Sequence, residues 1–220
     1  MYGRPGIIYG FHGCDRRVGE VVLTSHTQHL ASSRNDYDWL GHGLYFWEAS
    51  PERGLEFARN AKVSNKITRG RIQYPYVIGA VIELGNCLNL LAHAGLMEMR
   101  TAHYMLKASA AAVGKELPCN KFKDHSGAYL MRSLDCAVLE YLHKARMEAS
   151  LPAYDTVIGA LWEGDDLYAD AGLTDKNHMQ ICVRNHHCVR GYFRVRELEG
   201  VKLSRWDTHP HRSRPGKRLR

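Results

Sequence analysis

The sequence predicts an α+β domain. Strand patterns occupy both ends of the 220-residue chain, helical patterns lie between them, and there is no internal repeat. Such an order is typical of a domain in which the terminal strands come together in one core. We therefore predict a single domain over residues 1–205, mainly helical over 86–150, followed by a flexible basic tail over 206–220.

The first elements follow from local patterns. Residues 7–14, IIYGFHGC, alternate along a β-branched and aromatic stretch, which predicts a strand that ends near Gly13. A short helix over 17–26 and a polar loop over 27–38 are expected next. Residues 43–47, GLYFW, then predict a second strand.

The next helix has a clear start signal. Ser50 offers a hydroxyl cap, Pro51 loses no hydrogen bond in the first turn, and the charge of Glu52 suits the positive end of the helix dipole. We predict that this helix ends at about Asn60 and that a core strand follows over 76–84.

The second half of the chain predicts two helices and then three strands. Apolar residues recur at helical spacing over 96–114 and over 134–145, and Pro152 stops the second of these helices. Strands are expected over 155–164, 178–185 and 191–198. On the middle strand we expect an inward face of Met179, Ile181 and Val183 and an outward face of Gln180, Cys182 and Arg184.

The net charge is concentrated in the tail. The formal charge is +7, but residues 212–220, RSRPGKRLR, carry five positive charges, which leaves +2 for the rest of the chain. A short basic tail is either a solubilising end or an arm that binds phosphate. The nearly neutral body predicts no large basic groove.

Cysteine usage and the absence of a long apolar run indicate the cytoplasm and no membrane. The six cysteines lack paired metal-ligand spacing, so we expect reduced thiols, mostly in the core. We expect no metal at residues 186–188, HHC, because adjacent residues of a strand point to opposite faces. The first residues also lack the pattern of a signal peptide.

Taken singly, the chemical candidates have ordinary structural explanations as strand-end or half-buried residues. In chain order, however, His12-Gly13, Gly43-Leu44-Tyr45-Phe46 with the helix from Pro51, and Gln180 in HMQICV resemble the ADP-ribosyltransferase superfamily. The resemblance is closest to bacterial members of its histidine–tyrosine branch, in which a YDTV-G strand precedes a QI strand, as over 154–168 and 178–185 here. It implies a split β-sheet core with an inserted helical segment.

The resemblance implies an NAD pocket. The backbone of Gly13 would bind the nicotinamide carboxamide, and His12 would hold a ribose hydroxyl. Tyr45, in the motif that begins at Gly43, would pack against the nicotinamide, with Phe57 as a second wall. Arg16, with Arg17 beside it, either contacts the pyrophosphate or faces water.

The late strand carries an amide where a carboxylate would both position the ribose and stabilise its positive charge. Family members carry Glu or Gln at the position of Gln180, and a neutral amide orients the ribose 2′-hydroxyl without supplying a full negative charge. We therefore expect single transfer rather than polymer synthesis. Glu163 would compensate if its strand neighbours that of Gln180, as would Asp165 or Asp166, although this stretch also has the composition of a polar turn. Glu48 is a further candidate.

The expected function is mono-ADP-ribosylation with NAD as co-substrate and no metal. The resemblance implies a bacterial toxin or phage-defence effector with an antitoxin partner. A nucleic-acid acceptor, RNA or DNA, is slightly favoured over protein because of the basic tail. Two alternatives remain: an NAD glycohydrolase, in which water is the acceptor, and a non-catalytic module that binds NAD or ADP-ribose.

Overall fold

The computed structural model describes residues 6–64, 70–123 and 127–196. Within these ranges the chain forms nine strands and four α-helices, which confirms the mixed α+β class. In chain order they are β1 (Ile7–Asp15), α1 (Arg16–Thr24), β2 (Leu44–Glu48), α2 (Pro51–Val63), β3 (Pro75–Glu83), β4 (Cys87–Asn89), α3 (His93–Ala112), β5 (Lys121–Lys123), β6 (Tyr129–Met131), α4 (Ser133–Glu148), β7 (Thr156–Leu161), β8 (His178–Val183) and β9 (Val189–Arg194). The predicted tail lies outside the described residues.

Seven strands form one mixed sheet in the order β4-β7-β8-β2-β1-β3-β9. The β4–β7 pair is parallel, and the other pairs that involve these seven strands are antiparallel. Strands from both ends of the chain lie side by side in this sheet, as predicted. The short strands β5 and β6 form a separate hairpin, and neither they nor β4 were predicted.

The sheet is nearly divided between β1 and β2. Strand β1 pairs with β3 along all nine residues, from Ile7 to Asp15. With β2 it forms only two register pairs, Gly10 with Glu48 and Phe11 with Trp47. We call the space between the two strands beyond this short ladder the seam. It separates β4-β7-β8-β2 from β1-β3-β9.

Helices cover both faces of the sheet. The Phe46 face carries the larger core, with Ile78 and Ile181, and α1 packs on it through Val22. The opposite Trp47 face is covered in two places. Helices α3 and α4 pack over β7 and β8, and α2 packs over β1 and β3. Between these two helical layers lies the region where β2 and β8 meet α2.

Two predictions about these elements need correction. Helix α2 begins at Pro51 as predicted, but the Ser50 hydroxyl makes no capping hydrogen bond, and the helix continues beyond Asn60 to Val63. The outward face predicted for β8 was wrong, since Gln180 and Cys182 are buried. A strand in the middle of a sheet with helices on both sides has no solvent face, and alternation cannot reveal this.

The remaining local predictions concern residues 186–188, the thiols and the membrane. His186–Cys188 is a 3₁₀ turn rather than part of a strand, and its Cys188 is buried. All six cysteines are free, and four of them are buried: Cys14, Cys136, Cys182 and Cys188. No helix in the described part of the chain is long and apolar enough to span a bilayer.

We predict that acid weakens the fold through His143 on α4. Burial, with the nearby charge of Arg184, lowers the pKa of His143 to about 4 from 6.5, and its Nε2 has no partner among the described residues. Above pH 6.5 the His143 ring is neutral in both the folded and the unfolded chain, so its titration does not change the free energy of unfolding. As the pH falls from 6.5 towards 4, only the unfolded chain takes up this proton, so stability drops by up to about 3 kcal/mol.

Urea unfolding at pH 7 and pH 4.5 measures this effect. Carboxylate protonation lowers stability over the same range, so the informative quantity is the difference between wild type and His143→Gln. A smaller pH dependence in His143→Gln is expected, and an unchanged one would contradict the assignment.

Candidate active site

The backbone of Gly13 points into the seam. Pro75 has no N–H, so Asp15 and Pro75 cannot form a doubly hydrogen-bonded pair. Because such pairs alternate along an antiparallel ladder, the N–H and C=O of Gly13 also point away from β3, towards β2. Consistently, the carbonyl of Tyr9 accepts from the N–H of Ala49 at 3.0 Å. The β1–β2 ladder stops before Gly13.

His12 occupies the place where this ladder would continue. Its Nδ1 lies 2.8 Å from the carbonyl oxygen of Tyr45, the residue that would face Gly13 in register. A carbonyl only accepts, so Nδ1 carries the hydrogen and Nε2 of the neutral ring is an acceptor. Burial lowers the pKa of His12, which keeps the ring neutral at pH 7. The seam thus contains a neutral imidazole beside the part of the β1 backbone that does not pair with β2.

The absence of a side chain at Gly13 has a packing reason. A Cβ there would lie 1.9 Å from the carbonyl oxygen of Gly54 and 3.3 Å from the backbone nitrogen of Ala58, both in α2. Helix α2 therefore rests directly on the backbone of β1. This contact brings the first turns of α2 to the edge of the seam.

The aromatic residue beside Phe57 is Trp47, not Tyr45. The Trp47 and Phe57 ring centroids are 5.2 Å apart. The Tyr45 hydroxyl instead donates to the carbonyl of Gly41 at 2.6 Å and accepts from the N–H of Leu40 at 2.9 Å. Burial raises the pKa of Tyr45 well above its usual value. Tyr45 therefore has a structural anchor, while its neighbour on the same strand face forms the aromatic wall.

Gln180 lies beside this wall. It is the cross-strand partner of Trp47 on one side and of Gly159 on the other. Its side chain is 9% exposed and makes no hydrogen bond within the described part of the chain. The amide is thus held on the Trp47 face with its polar atoms uncommitted.

Three buried polar atoms that have no partner among the described residues surround the same place. They are Nε1 of Trp47, Nε of Arg53 and Nε2 of His178. The rings of Trp47 and His178 are 6.2 Å apart, and Arg53 lies one helical turn before Phe57. A buried polar group without a partner costs roughly 1–3 kcal/mol, so a polar ligand bound here would recover free energy.

Arg53 also brings Glu163 towards the cluster. Its guanidinium contacts the carboxylate of Glu163 at 2.9 Å and pairs with Glu56, which in turn lies 3.6 Å from Lys176. The strand that precedes Glu163 does neighbour the Gln180 strand. Glu163 therefore stands near the cluster as one half of an ion pair.

The other predicted residues lie elsewhere. The guanidinium carbon of Arg16 is 5.6 Å from the centre of the Tyr76 ring on β3, on the far side of β1 from β2. Gly43 packs against Cys182, whose sulfur would be 2.5 Å from an added Cβ.

Glu48 alternates with Trp47 and so lies on the Phe46 face. In the loop after Glu163, the N–H of Asp165 donates to the carboxylate of Asp175 at 3.0 Å.

The structure thus brings together some of the predicted residues and adds others. Gln180, Phe57 and Glu163 meet on the Trp47 face, whereas the His12 ring lies 5.9 Å from that of Phe46, towards the other face. Sequence reasoning missed Trp47 as a wall, and it missed Arg53 and His178 altogether. Their spacing in the sequence could have indicated Arg53 and His178. His178 is two residues before Gln180 on a strand, and Arg53 is four residues before Phe57 on a helix, so each shares a face with a predicted residue.

Comparisons with known proteins add no assignment. The chain matches no family model, no curated protein and no solved structure.

Proposed function

We propose that this protein cleaves NAD at its nicotinamide–ribose bond and transfers the ADP-ribose to a macromolecule. The observation that carries the proposal is the seam, where the Gly13 backbone leaves the ladder beside a neutral His12. A divided sheet is what the resemblance to ADP-ribosyltransferases implies. The residue pattern and the seam involve the same two strands, β1 and β2.

The groups at the seam suit the ends of NAD. A carboxamide both donates and accepts, and the Gly13 backbone presents one N–H and one C=O. Nε2 of His12 accepts a hydrogen bond from a ribose hydroxyl. Gln180 offers an amide oxygen to the 2′-hydroxyl, and Arg53 offers to the pyrophosphate the Nε–H that has no partner among the described residues.

The reaction requires little covalent chemistry from the protein. A nucleophilic oxygen or nitrogen of the acceptor bonds to ribose C1, and the C1–nitrogen bond to nicotinamide breaks. The bond's electron pair neutralises the pyridinium, and the nucleophile loses its proton to solvent. The transition state is positively charged at the ribose, so positioning and electrostatics dominate.

Single transfer fits the charges at the site. Gln180 is neutral, and the Glu163 carboxylate is paired with Arg53, so the cluster has no unpaired carboxylate comparable to a family glutamate. This same observation favours a second candidate, a module that binds NAD without turnover. A glycohydrolase follows if water reaches ribose C1 first.

Nicotinamide release from NAD by the purified protein tests the proposal. Release together with labelled ADP-ribose on a macromolecule is expected when adenylate-labelled NAD is incubated with cell extract. Label removed by nuclease identifies a nucleic-acid acceptor, and label removed by protease identifies a protein. Release of free ADP-ribose alone would indicate a glycohydrolase, and binding without release would indicate the module.

The cellular role proposed with this activity is that of a bacterial toxin or phage-defence effector. Uncontrolled transfer from NAD would harm the cell that makes the enzyme, so an antitoxin protein is the partner we propose. Growth arrest on induced expression, relieved in a variant without NAD turnover, is the corresponding cellular result.

We predict that His12→Asn lowers nicotinamide release about tenfold, which corresponds to about 1.4 kcal/mol of transition-state stabilisation. The Asn amide reproduces the Nδ1–H donor to the Tyr45 carbonyl but lacks the acceptor at Nε2. Steady-state assays of nicotinamide release, with urea unfolding as a folding control, measure the effect. Unimpaired release in a folded His12→Asn would exclude His12 from NAD binding.

A further inference from the structure

A cavity of about 550 Å³ opens on the Trp47 face beside β7, outside the cluster described above. This volume lies within the roughly 300–1,000 Å³ of pockets that hold organic ligands. Its walls are two indoles, several aliphatic side chains and one ion of each sign. The side chains that matter here are Trp39, Trp162, Leu90, Met99, Arg132 and Asp135.

Two indole side chains form part of the cavity wall. The Arg132 guanidinium lies 4.1 Å from the centre of the Trp39 ring, and the Trp39 N–H donates to the carbonyl of Leu130 at 2.9 Å. These contacts fix one indole in the wall. Trp162, the second indole of the wall, is 51% exposed and can stack on an entering ring. Asp135 adds an acceptor, although Asn120 already donates to it at 3.0 Å.

A basic and aromatic hairpin adjoins the cavity through Arg132 and through the hydrogen bond from Trp39 to Leu130. The hairpin β5–β6 leads directly to Arg132, and it presents exposed Lys121 and Lys123 opposite Met131 and Tyr129. Phe122 is 66% exposed, and the Lys123 ammonium lies 4.7 Å from the centre of the Tyr129 ring. Cations beside exposed rings are the pattern with which proteins bind single-stranded nucleic acid.

The cavity also borders the candidate active site. Its wall residues Gly159 and Leu161 are the register partners of Gln180 and His178. Neighbouring strands lie about 4.8 Å apart, so a ring in the cavity is one strand away from the proposed ribose position. A ring in the cavity would therefore lie close to the ribose of a bound NAD, as an acceptor must.

We propose that this cavity is the acceptor site and that it takes an unpaired base of a single-stranded nucleic acid, whose phosphates contact Lys121, Lys123 and Arg132. The bases of a duplex are stacked and cannot enter such a cavity. The inference rests on the proposed function for the fate of the bound strand, but not for its binding. It adds a site within the body of the protein to the basic tail.

The test is binding of fluorescein-labelled 12-nucleotide strands to the full chain without NAD, followed by fluorescence anisotropy. RNA and DNA strands, and the matching duplexes, form separate arms. We expect single strands to bind more tightly than duplexes and Trp162→Ala to weaken binding at least about fivefold, the lower end of what base stacking supplies. Loss of Lys121 and Lys123 should reduce the salt slope of log affinity by about 1.4, at about 0.7 per phosphate contact.

The matched control is the double variant Lys62→Ala, Lys144→Ala, which removes two exposed lysines of α2 and α4. It retains the tail and the hairpin, so its salt slope should remain closer to that of wild type. If Trp162→Ala binds like wild type, or the double variant Lys121→Ala, Lys123→Ala has the same salt slope as this control, the proposal is wrong. Nicotinamide release measured without oligonucleotide tests the proposed function separately, so failure of either is recognised on its own.

Discussion

Replacement of Gly13 by Ala is expected to destabilise the fold by about 3 kcal/mol, the upper end of the usual cost of overpacking. The new Cβ would meet the carbonyl oxygen of Gly54 at 1.9 Å, and a backbone atom cannot rotate out of the way. Helix α2 would have to lift from β1, which also moves Phe57 and Arg53 away from Trp47. Urea unfolding and nicotinamide release should therefore both be impaired.

Gly54→Ala is the matched control for this clash. A Cβ at Gly54 would lie 3.0 Å from the end of the Val77 side chain, which can give way, and 3.4 Å from the nitrogen of Gly13. Ala is favoured over Gly in a helix by up to about 1 kcal/mol, which offsets the crowding. Gly54→Ala should be close to wild type in stability. Equal effects of the two substitutions would show that the contact between α2 and β1 is looser than described.

The second large effect is expected at Gln180. Gln180→Ala should lower nicotinamide release about 100-fold, the size typical of losing one preorganised polar contact to a charged transition state. Gln180→Glu should be less damaging, because it keeps an acceptor oxygen and adds negative charge beside the oxocarbenium ion. Since the position is only 9% exposed, burial would raise the pKa of the new carboxyl, and its activity should increase with pH.

Gln180→Met separates packing from chemistry, since it nearly preserves volume and removes the polar atoms. It should unfold like wild type in urea while releasing nicotinamide as slowly as Gln180→Ala. Equal and unimpaired rates in the Ala and Glu variants would mean that Gln180 is structural. Glu163, which lies at the same cluster, would then be the acidic candidate that remains there.

The elements were predictable where the local pattern is sufficient. The Pro51-Glu52 start placed α2, and the apolar spacing over 134–145 placed α4, because these signals depend on neighbours in the chain. The exposure of β8 was not predictable in the same way. Whether Cys182 meets water or a helix depends on α4 crossing that face, which alternation along β8 does not encode.

In the candidate site, too, some residues could be predicted from local sequence and others depend on tertiary contacts. The order of motifs selected Gln180 and Phe57, which the structure brings onto one face. Trp47 was passed over for Tyr45, although both lie on the same face of β2, because the choice depends on the register with β8. The cluster formed with Arg53 is likewise a tertiary contact, and no local spacing pairs a helix residue with Glu163.

The seam between β1 and β2 gives the sheet an unusual mechanical property. Only two register pairs join its halves through backbone pairing, so the core on the Phe46 face, with Ile78 from one half and Ile181 from the other, provides most of the connection between them. A ligand bound across the gap would supply the hydrogen bonds that the ladder lacks and would stiffen the whole sheet. Occupancy of one narrow gap would thus act on the sheet as a change in rigidity rather than in shape.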